Sequence, residues 1–190
     1  MDIGTLVVIG VVVVLLTYGI LIYNNLVRLK HNVSKGWSNI DVALKQRHEE
    51  LPKLVDVCKQ HMQYEAGTLQ KVMEARGRVF EARGAGDVKA LGRAESMLRS
   101  GLGQLFALAE NYPELKASES FTHLSSRVSG LEETIADRRE LYNEHVNLNN
   151  VRIEQFPDVI VARMFGFGDF DLLEFSEARE DVSISGLFGT

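Results

Sequence analysis

Residues 3 to 22 read IGTLVVIGVVVVLLTYGILI, twenty residues without a charged side chain. As a helix rising about 1.5 Å per residue, this run is about 30 Å long, enough to cross the hydrocarbon core of a bilayer. A cleaved secretory signal is the competing reading. It needs a basic n-region, a short apolar stretch and a small-residue cleavage site. The only charged residue before Arg28 is Asp2, the stretch is long, and no lipobox cysteine occurs. Residues 1–23 therefore read as a retained transmembrane anchor, with membrane lipid the partner of residues 3–22. Arg28, Lys30 and Lys35 follow the run, with His31 among them, and no Lys or Arg precedes it. The positive-inside rule then predicts a single-pass protein of the cytoplasmic (inner) membrane, N-terminus outside and the rest in the cytoplasm. Tyr18 and Tyr23 suit the membrane–water interface.

Nothing in Tyr23-Asn24-Asn25 stops a helix, since it holds neither Gly nor Pro. Apolar residues continue at Leu26, Leu29, Val33, Trp37, Ile40, Leu44 and Leu51, with Arg47 on the same steps of three and four. One helix face is thus predicted from the membrane to about residue 50. Pro52 lacks an N–H and disfavours the α conformation at Leu51. It predicts a turn; the alternative is a kink in a single rod of about 60 residues. A second stripe runs through Leu54, Val57, Cys58, His61, Leu69, Val72, Val79 and Phe80, to Gly84-Ala85-Gly86, with Asp87 placed to cap the next helix. The third holds Val88, Leu91, Leu98, Leu102, Leu105, Ala109 and Tyr112, and its glycines at 92, 101 and 103 are each expected to weaken it by up to about 1 kcal/mol. Ser118 or Ser120 can cap a fourth, through Phe121, Leu124, Val128, Leu131, Ile135, Tyr142, Val146 and Ile153 to Phe156-Pro157.

The predicted fold is all-α: a transmembrane helix continuing into an antiparallel, up-and-down four-helix bundle over 24–157, with helices at about 24–50, 53–83, 88–112 and 118–155. Residues 158–190 form an apolar C-terminal segment and flexible tail. Parity places the stretch FPDVIVARMFGFGDFDLLEF, residues 156–175, at the membrane-proximal end if the chain turns at Pro52. A kink would put it far from the bilayer.

Composition narrows the function. The formal charge is −5 and no basic stripe is present, which argues against nucleic acid. The single cysteine, Cys58, can form no internal disulfide and fits a reducing compartment. Cys58, His61 and Glu65 stand at i, i+3 and i+7, a spacing that would let metal ligands converge on one helix face. The plainer reading makes the first two inward residues and puts Glu65 at the seam's edge. No Glu precedes a His by three residues, as a di-iron bundle requires. His48-Glu49-Glu50 is not His-Glu-x-x-His, and Gly-x-Ser-x-Gly and phosphate-loop patterns are absent. No catalytic, metal or cofactor-binding residue is assigned, and no enzyme is expected.

Several dispersed motifs occur in order: Tyr23-Asn24-x-Leu26-Val27, Trp37, Ile40-Asp41-Val42, Leu51-Pro52-x-Leu54-Val55, Glu65 and Ala75-Arg76. Further on come Tyr112-Pro113-x-Leu115-Lys116-Ala117, Phe121, Ile135-Ala136-x-Arg138-Arg139-x-x-Tyr142-Asn143, Phe156-Pro157 and Phe165-Gly166-Phe167. Together they resemble the LemA family of bacterial proteins, from about Tyr23 to Phe167. The resemblance implies an N-terminal anchor and a four-helix domain, and implies no enzymatic activity. Within these motifs Asp41, Arg138, Arg139 and Asn143 lie on or beside apolar stripes. Asp41 is expected either to pair with Arg138 or Arg139 and fix helix register, or to be a solvated surface charge like them. Trp37 is expected to be largely buried, its indole N–H finding an acceptor. The structural and interaction candidates are therefore Tyr23, Asn24, Trp37, Asp41, Arg138, Arg139, Tyr142, Asn143, Phe156, Pro157, Phe165 and Phe167. The function expected is a membrane-anchored, non-enzymatic scaffold or interaction module with an unknown protein partner. The alternatives are a self-assembling homo-oligomer organising membranes or answering envelope stress, and a metal-binding helical protein.

Overall fold

The structure, a computed structural model, describes residues 2–175. These contain six α-helices and no strand: α1 (Ile3–His61), α2 (Ala66–Ala85), α3 (Val88–Ala109), α4 (Pro113–Lys116), α5 (Glu119–Glu154) and α6 (Asp158–Phe165). Residues 176–190 of the expected tail lie outside the described residues. Helix α1 is long and apolar enough at its N-terminal end to cross a membrane. It continues without interruption through Tyr23 for 59 residues in all.

Pro52 neither turns the chain nor ends the helix, contrary to expectation; it lies inside α1. The reason is local. Proline has no N–H to offer the carbonyl four residues back, so the His48 carbonyl loses its helical donor. Arg76 of α2 supplies the replacement. Its Nε–H donates to the His48 carbonyl at 2.9 Å, and its terminal nitrogen contacts His48 Nε2 at 2.7 Å. The reversal comes instead after His61, through Met62 and a 3-10 turn at Gln63–Glu65. Neither the helix boundary near 50–53 nor the single rod to residue 83 describes the chain.

The other helix ends follow the sequence signals. Gly86 closes α2 in the left-handed conformation, φ 68°. Asp87 caps α3, its Oδ1 accepting from the Ala90 N–H at 2.8 Å. Ser118, not Ser120, caps α5 by accepting from the Phe121 N–H.

The chain forms two compact units, and α1 and α5 contribute to both. Unit 1 takes α1 up to Leu44 together with Glu132–Leu172; unit 2 takes Lys45–Leu131 and the chain from Leu173. Unit 2 is a four-helix bundle of α1, α2, α3 and α5 segments. Helices α2 and α3 run antiparallel, with Arg78 beside Met97 and Val72 beside Gly101. Its core is Leu51, Leu54, Val55, Cys58, Leu69, Val72, Leu91, Leu98, Leu102, Leu105, Leu124 and Val128. An ion pair between Arg47 and Glu95 is buried in it, and Glu50 is bridged to Arg127 at 2.9 Å. Burial works to raise the Glu50 pKa, but its bonds to Lys53 and Arg127 more than offset this and hold it below the usual carboxylate range.

The α3 glycines differ in role. A Cβ on Gly92 would stand 2.1 Å from the Glu174 carbonyl oxygen, so the bare helix surface there admits the C-terminal chain. A Cβ on Gly101 would crowd Val72 at 3.3 Å, whereas one on Gly103 would meet nothing. Only Gly103 matches the expectation of simple helix weakening.

Candidate interaction site at the end of the apolar span

All twelve sequence-predicted candidates fall in unit 1. There α1 and α5 lie antiparallel. Trp37 packs on Tyr142 with ring centroids 5.6 Å apart, and Arg138 donates to the Asn39 carbonyl at 2.6 Å. The helices approach closely at Gly36, where a Cβ would stand 3.3 Å from the Tyr142 Cα. Gly36, not Trp37, therefore occupies the seam. Trp37 is half-buried at its edge, and its indole N–H makes no hydrogen bond among the described residues, which corrects the expectation of a largely buried ring with a satisfied N–H. Asp41, Arg139 and Asn143 are half-buried, and each has a partner.

Toward the end of the apolar run, Ile22 and Leu26 form a buried cluster with Ala162 of α6, and Ile153, Val161 and Phe167 pack around it. Tyr23 stands edge-on to Phe165 at 4.8 Å and to Phe167 at 5.6 Å. The C-terminal segment thus lies beside the exit of the apolar run. That is the position parity gave for a turn at Pro52, reached through a turn at Met62–Glu65. Asn24 is exposed. The Phe156–Pro157 peptide is cis, and Phe156 is 81% exposed.

The segment is fastened by polar side chains that sequence reasoning largely passed over. Asp158, buried in the first turn of α6, accepts from Arg152 Nε at 2.7 Å. Gly166 ends α6 at φ 70°, and the extended chain after it is held by its backbone to α5. Asn150 accepts from the Phe170 N–H at 3.0 Å and donates to its carbonyl at 2.9 Å. Asn149 donates to the Gly168 carbonyl at 3.2 Å, and the Tyr142 hydroxyl to the Asp171 carbonyl at 3.0 Å. Burial, then the Asp171 charge, push the Tyr142 pKa up and keep the hydroxyl a donor. A signal for Asn149 existed: the step from Val146 to Ile153 lands on it, and a polar group on a buried stripe must find a partner.

These bonds leave one side of α6 apolar and uncovered. Ile160 is 52% exposed and Met164 71%, one helical turn apart. The metal spacing fares differently. Helix α1 ends at His61, which puts Glu65 in the following turn and off the helix face shared by Cys58 and His61. Burial pushes the Cys58 thiol up to about 11.

Comparison with known proteins agrees with the motifs. The sequence matches the LemA family over residues 36–185. The chain belongs to the LemA family. Among curated relatives it resembles the magnetosome protein MamQ 2 of Paramagnetospirillum magneticum, 25% identical over 168 residues, covering 76% of this chain and 62% of the relative. MamQ of Magnetospirillum gryphiswaldense is 24% identical over the same shares. Protein LemA of Metamycoplasma hominis is 29% identical across 86% of this chain and 74% of its own length. The chain spans less than two thirds of the MamQ proteins' length. Residues 23–27, which carry the first motif, precede the family match.

Proposed function

We propose that this LemA-family chain is a single-pass, non-enzymatic scaffold that holds a rigid helical surface at the cytoplasmic membrane. The observation that carries the reading is the unbroken passage of α1 from its uncharged run into both folded units. The helix with the uncharged run thus also contributes to each folded unit, so a partner bound to either unit is held at the membrane. The buried polar groups are consistent with this role. Arg47 with Glu95, Arg76 with the His48 carbonyl and Arg152 with Asp158 spend their hydrogen bonds tying segments together. Arg28, Lys30 and Lys35 after the run support a cytoplasmic side for the folded units under the positive-inside rule. Two measurements test the proposal. A membrane-impermeant thiol probe should miss a Ser120→Cys variant in intact cells and label it after lysis; labelling from outside would overturn the orientation. Cross-linking in native membranes with mass-spectrometric identification should return a reproducible protein partner. Recovery of the chain in the soluble fraction after lysis would overturn the anchored reading.

Self-assembly is a second reading, favoured by exposed Leu141, Leu148 and Val151 on α5, which recur at helical spacing. Light scattering of the detergent-solubilised chain should then give more than one copy, and Leu148→Glu should reduce it to one. A monomeric wild-type chain excludes this reading.

A further inference from the structure

We propose that α6 is a second membrane contact: an interfacial helix whose exposed apolar residues, Ile160 and Met164, enter the headgroup–acyl boundary beside the point where α1 leaves the bilayer, with exposed Phe156 in the turn before it. The proposal deepens the anchored-scaffold reading and rests on α1 crossing the membrane. Three observations meet in it. The first is level. Tyr23 closes the apolar run, and Phe165 and Phe167 are packed edge-on against its ring. Ala162 is buried against Ile22 and Leu26, the last turn of the run and the first turn after it. The helix is therefore held at the height where tyrosines and interfacial helices reside.

The second is the face. Asp158 and Ala162 are buried, while Ile160 and Met164, one helical turn apart, are exposed, as is Phe156 in the turn before α6. Phe156, at 81% exposed, is the most exposed phenylalanine among the described residues. Arg163 flanks this face and is exposed, so its guanidinium can reach lipid phosphates while its stem lies along the acyl boundary. The third is rigidity. The Arg152–Asp158 bond at the start of α6 and the Asn149 and Asn150 bonds after it fix the helix at both ends. The apolar face is thereby presented outward rather than folded away. Lipid is the occupant because exposed Phe165 of α6 packs on Tyr23, at the end of the exposed apolar surface of α1 that lipid covers when α1 crosses the membrane. A second copy would have to displace lipid at the same level.

The test uses the full chain in vesicles of phosphatidylcholine and phosphatidylglycerol, with Cys58→Ala and one introduced cysteine carrying an environment-sensitive fluorophore. Met164→Cys is the reporter, Leu15→Cys marks the span, and Ser38→Cys, exposed on α1 well beyond Tyr23, marks the aqueous side. Lipids carry quenchers either near the headgroup or deep in the acyl chain. The proposal expects the residue 164 label to be blue-shifted and quenched most by the shallow quencher, about 5–10 Å into the boundary. Residue 15 should respond to the deep quencher and residue 38 to neither. An unquenched residue 164 label beside a quenched residue 15 label overturns the proposal and leaves the span standing. If residue 15 is also unquenched, the anchored reading itself fails, and the proposal with it. A residue 164 signal that follows the protein-to-lipid ratio rather than quencher depth would show a second copy as the occupant and equally overturn it.

Discussion

Arg76 shows what one side chain does for a helix that proline should have broken. It donates to the carbonyl that Pro52 leaves without a partner, and a second nitrogen meets the His48 ring. The two positions should therefore be coupled. Arg76→Ala is expected to cost about 2–3 kcal/mol, the penalty of a buried carbonyl losing a charged donor. In a Pro52→Ala background, where residue 52 regains its N–H, the same change should cost at least about 1 kcal/mol less. Chemical denaturation of the four proteins measures the difference, and strict additivity would sink the explanation. The same contact governs His48. An arginine only donates, so Nε2 must accept and the ring is neutral with its proton on Nδ1, an atom that has no partner. Burial first, then Arg76, lower the His48 pKa below 6.5. The unfolded chain then binds the proton more readily than the fold does. This stability contribution is complete above the unfolded value of 6.5 and is lost as pH falls from there toward the folded value. Thermal denaturation should show the loss as pH falls below 6.5, flattened in His48→Gln, whose amide oxygen can still accept from Arg76.

At the scale of the element, α3 carries three glycines that the sequence presents alike and the packing separates. Gly103→Ala adds a methyl into open space and should stabilise by up to about 1 kcal/mol through helix propensity. Gly92→Ala cannot be accommodated without moving the Glu174 carbonyl. It should free the chain around Glu174, seen as faster proteolysis after residue 171, and destabilise despite alanine's better propensity. If both variants gain stability, the close approach at Gly92 does not exist in solution. In α1, the residues Leu26, Val33, Ile40, Arg47 and Leu54 recur every seven positions, each no more than 2% exposed. Such a repeat is a seam, and it explains why a helix this long is not left bare. Arg47 is the one charge in it and is matched by Glu95. Removing either alone should cost about 3–5 kcal/mol, while an Arg47→Met, Glu95→Leu pair should be close to neutral. Urea denaturation of the three variants decides it. A double variant as weak as the singles would show that the pair itself is indispensable.

For the molecule as a whole, two units are built on two shared helices, so their unfolding should be coupled. Two native reporters test this. Trp37 sits against Tyr142 in unit 1, and Cys58 is buried in unit 2 with its thiol held near a pKa of about 11. In detergent, tryptophan fluorescence and Cys58 reactivity toward a neutral-pH thiol reagent should change over the same urea range. Cys58 becoming reactive well before the fluorescence changes would mean that unit 2 opens by itself.

The sequence by itself determined what depends on period and local chemistry. The uncharged run, the absence of a helix breaker at Tyr23, the capping residues Asp87 and Ser118, and the stripes from Leu26 and from Phe121 were legible because helical spacing and burial are written one residue at a time. The LemA motifs were legible for the same reason. Tertiary structure decided the rest, because each remaining question concerned a partner distant along the chain. Pro52 reads as a turn until Arg76 is placed against it. Trp37 reads as core until the near contact of backbones at Gly36 moves the seam by one residue. Glu95, Asn149 and Asn150 acquire roles only when Arg47 and the backbone of residues 168–170 arrive beside them. A side chain's intrinsic preference belongs to the sequence. Whether that preference is met, overridden or satisfied by another segment depends on which groups the fold brings within hydrogen-bonding distance.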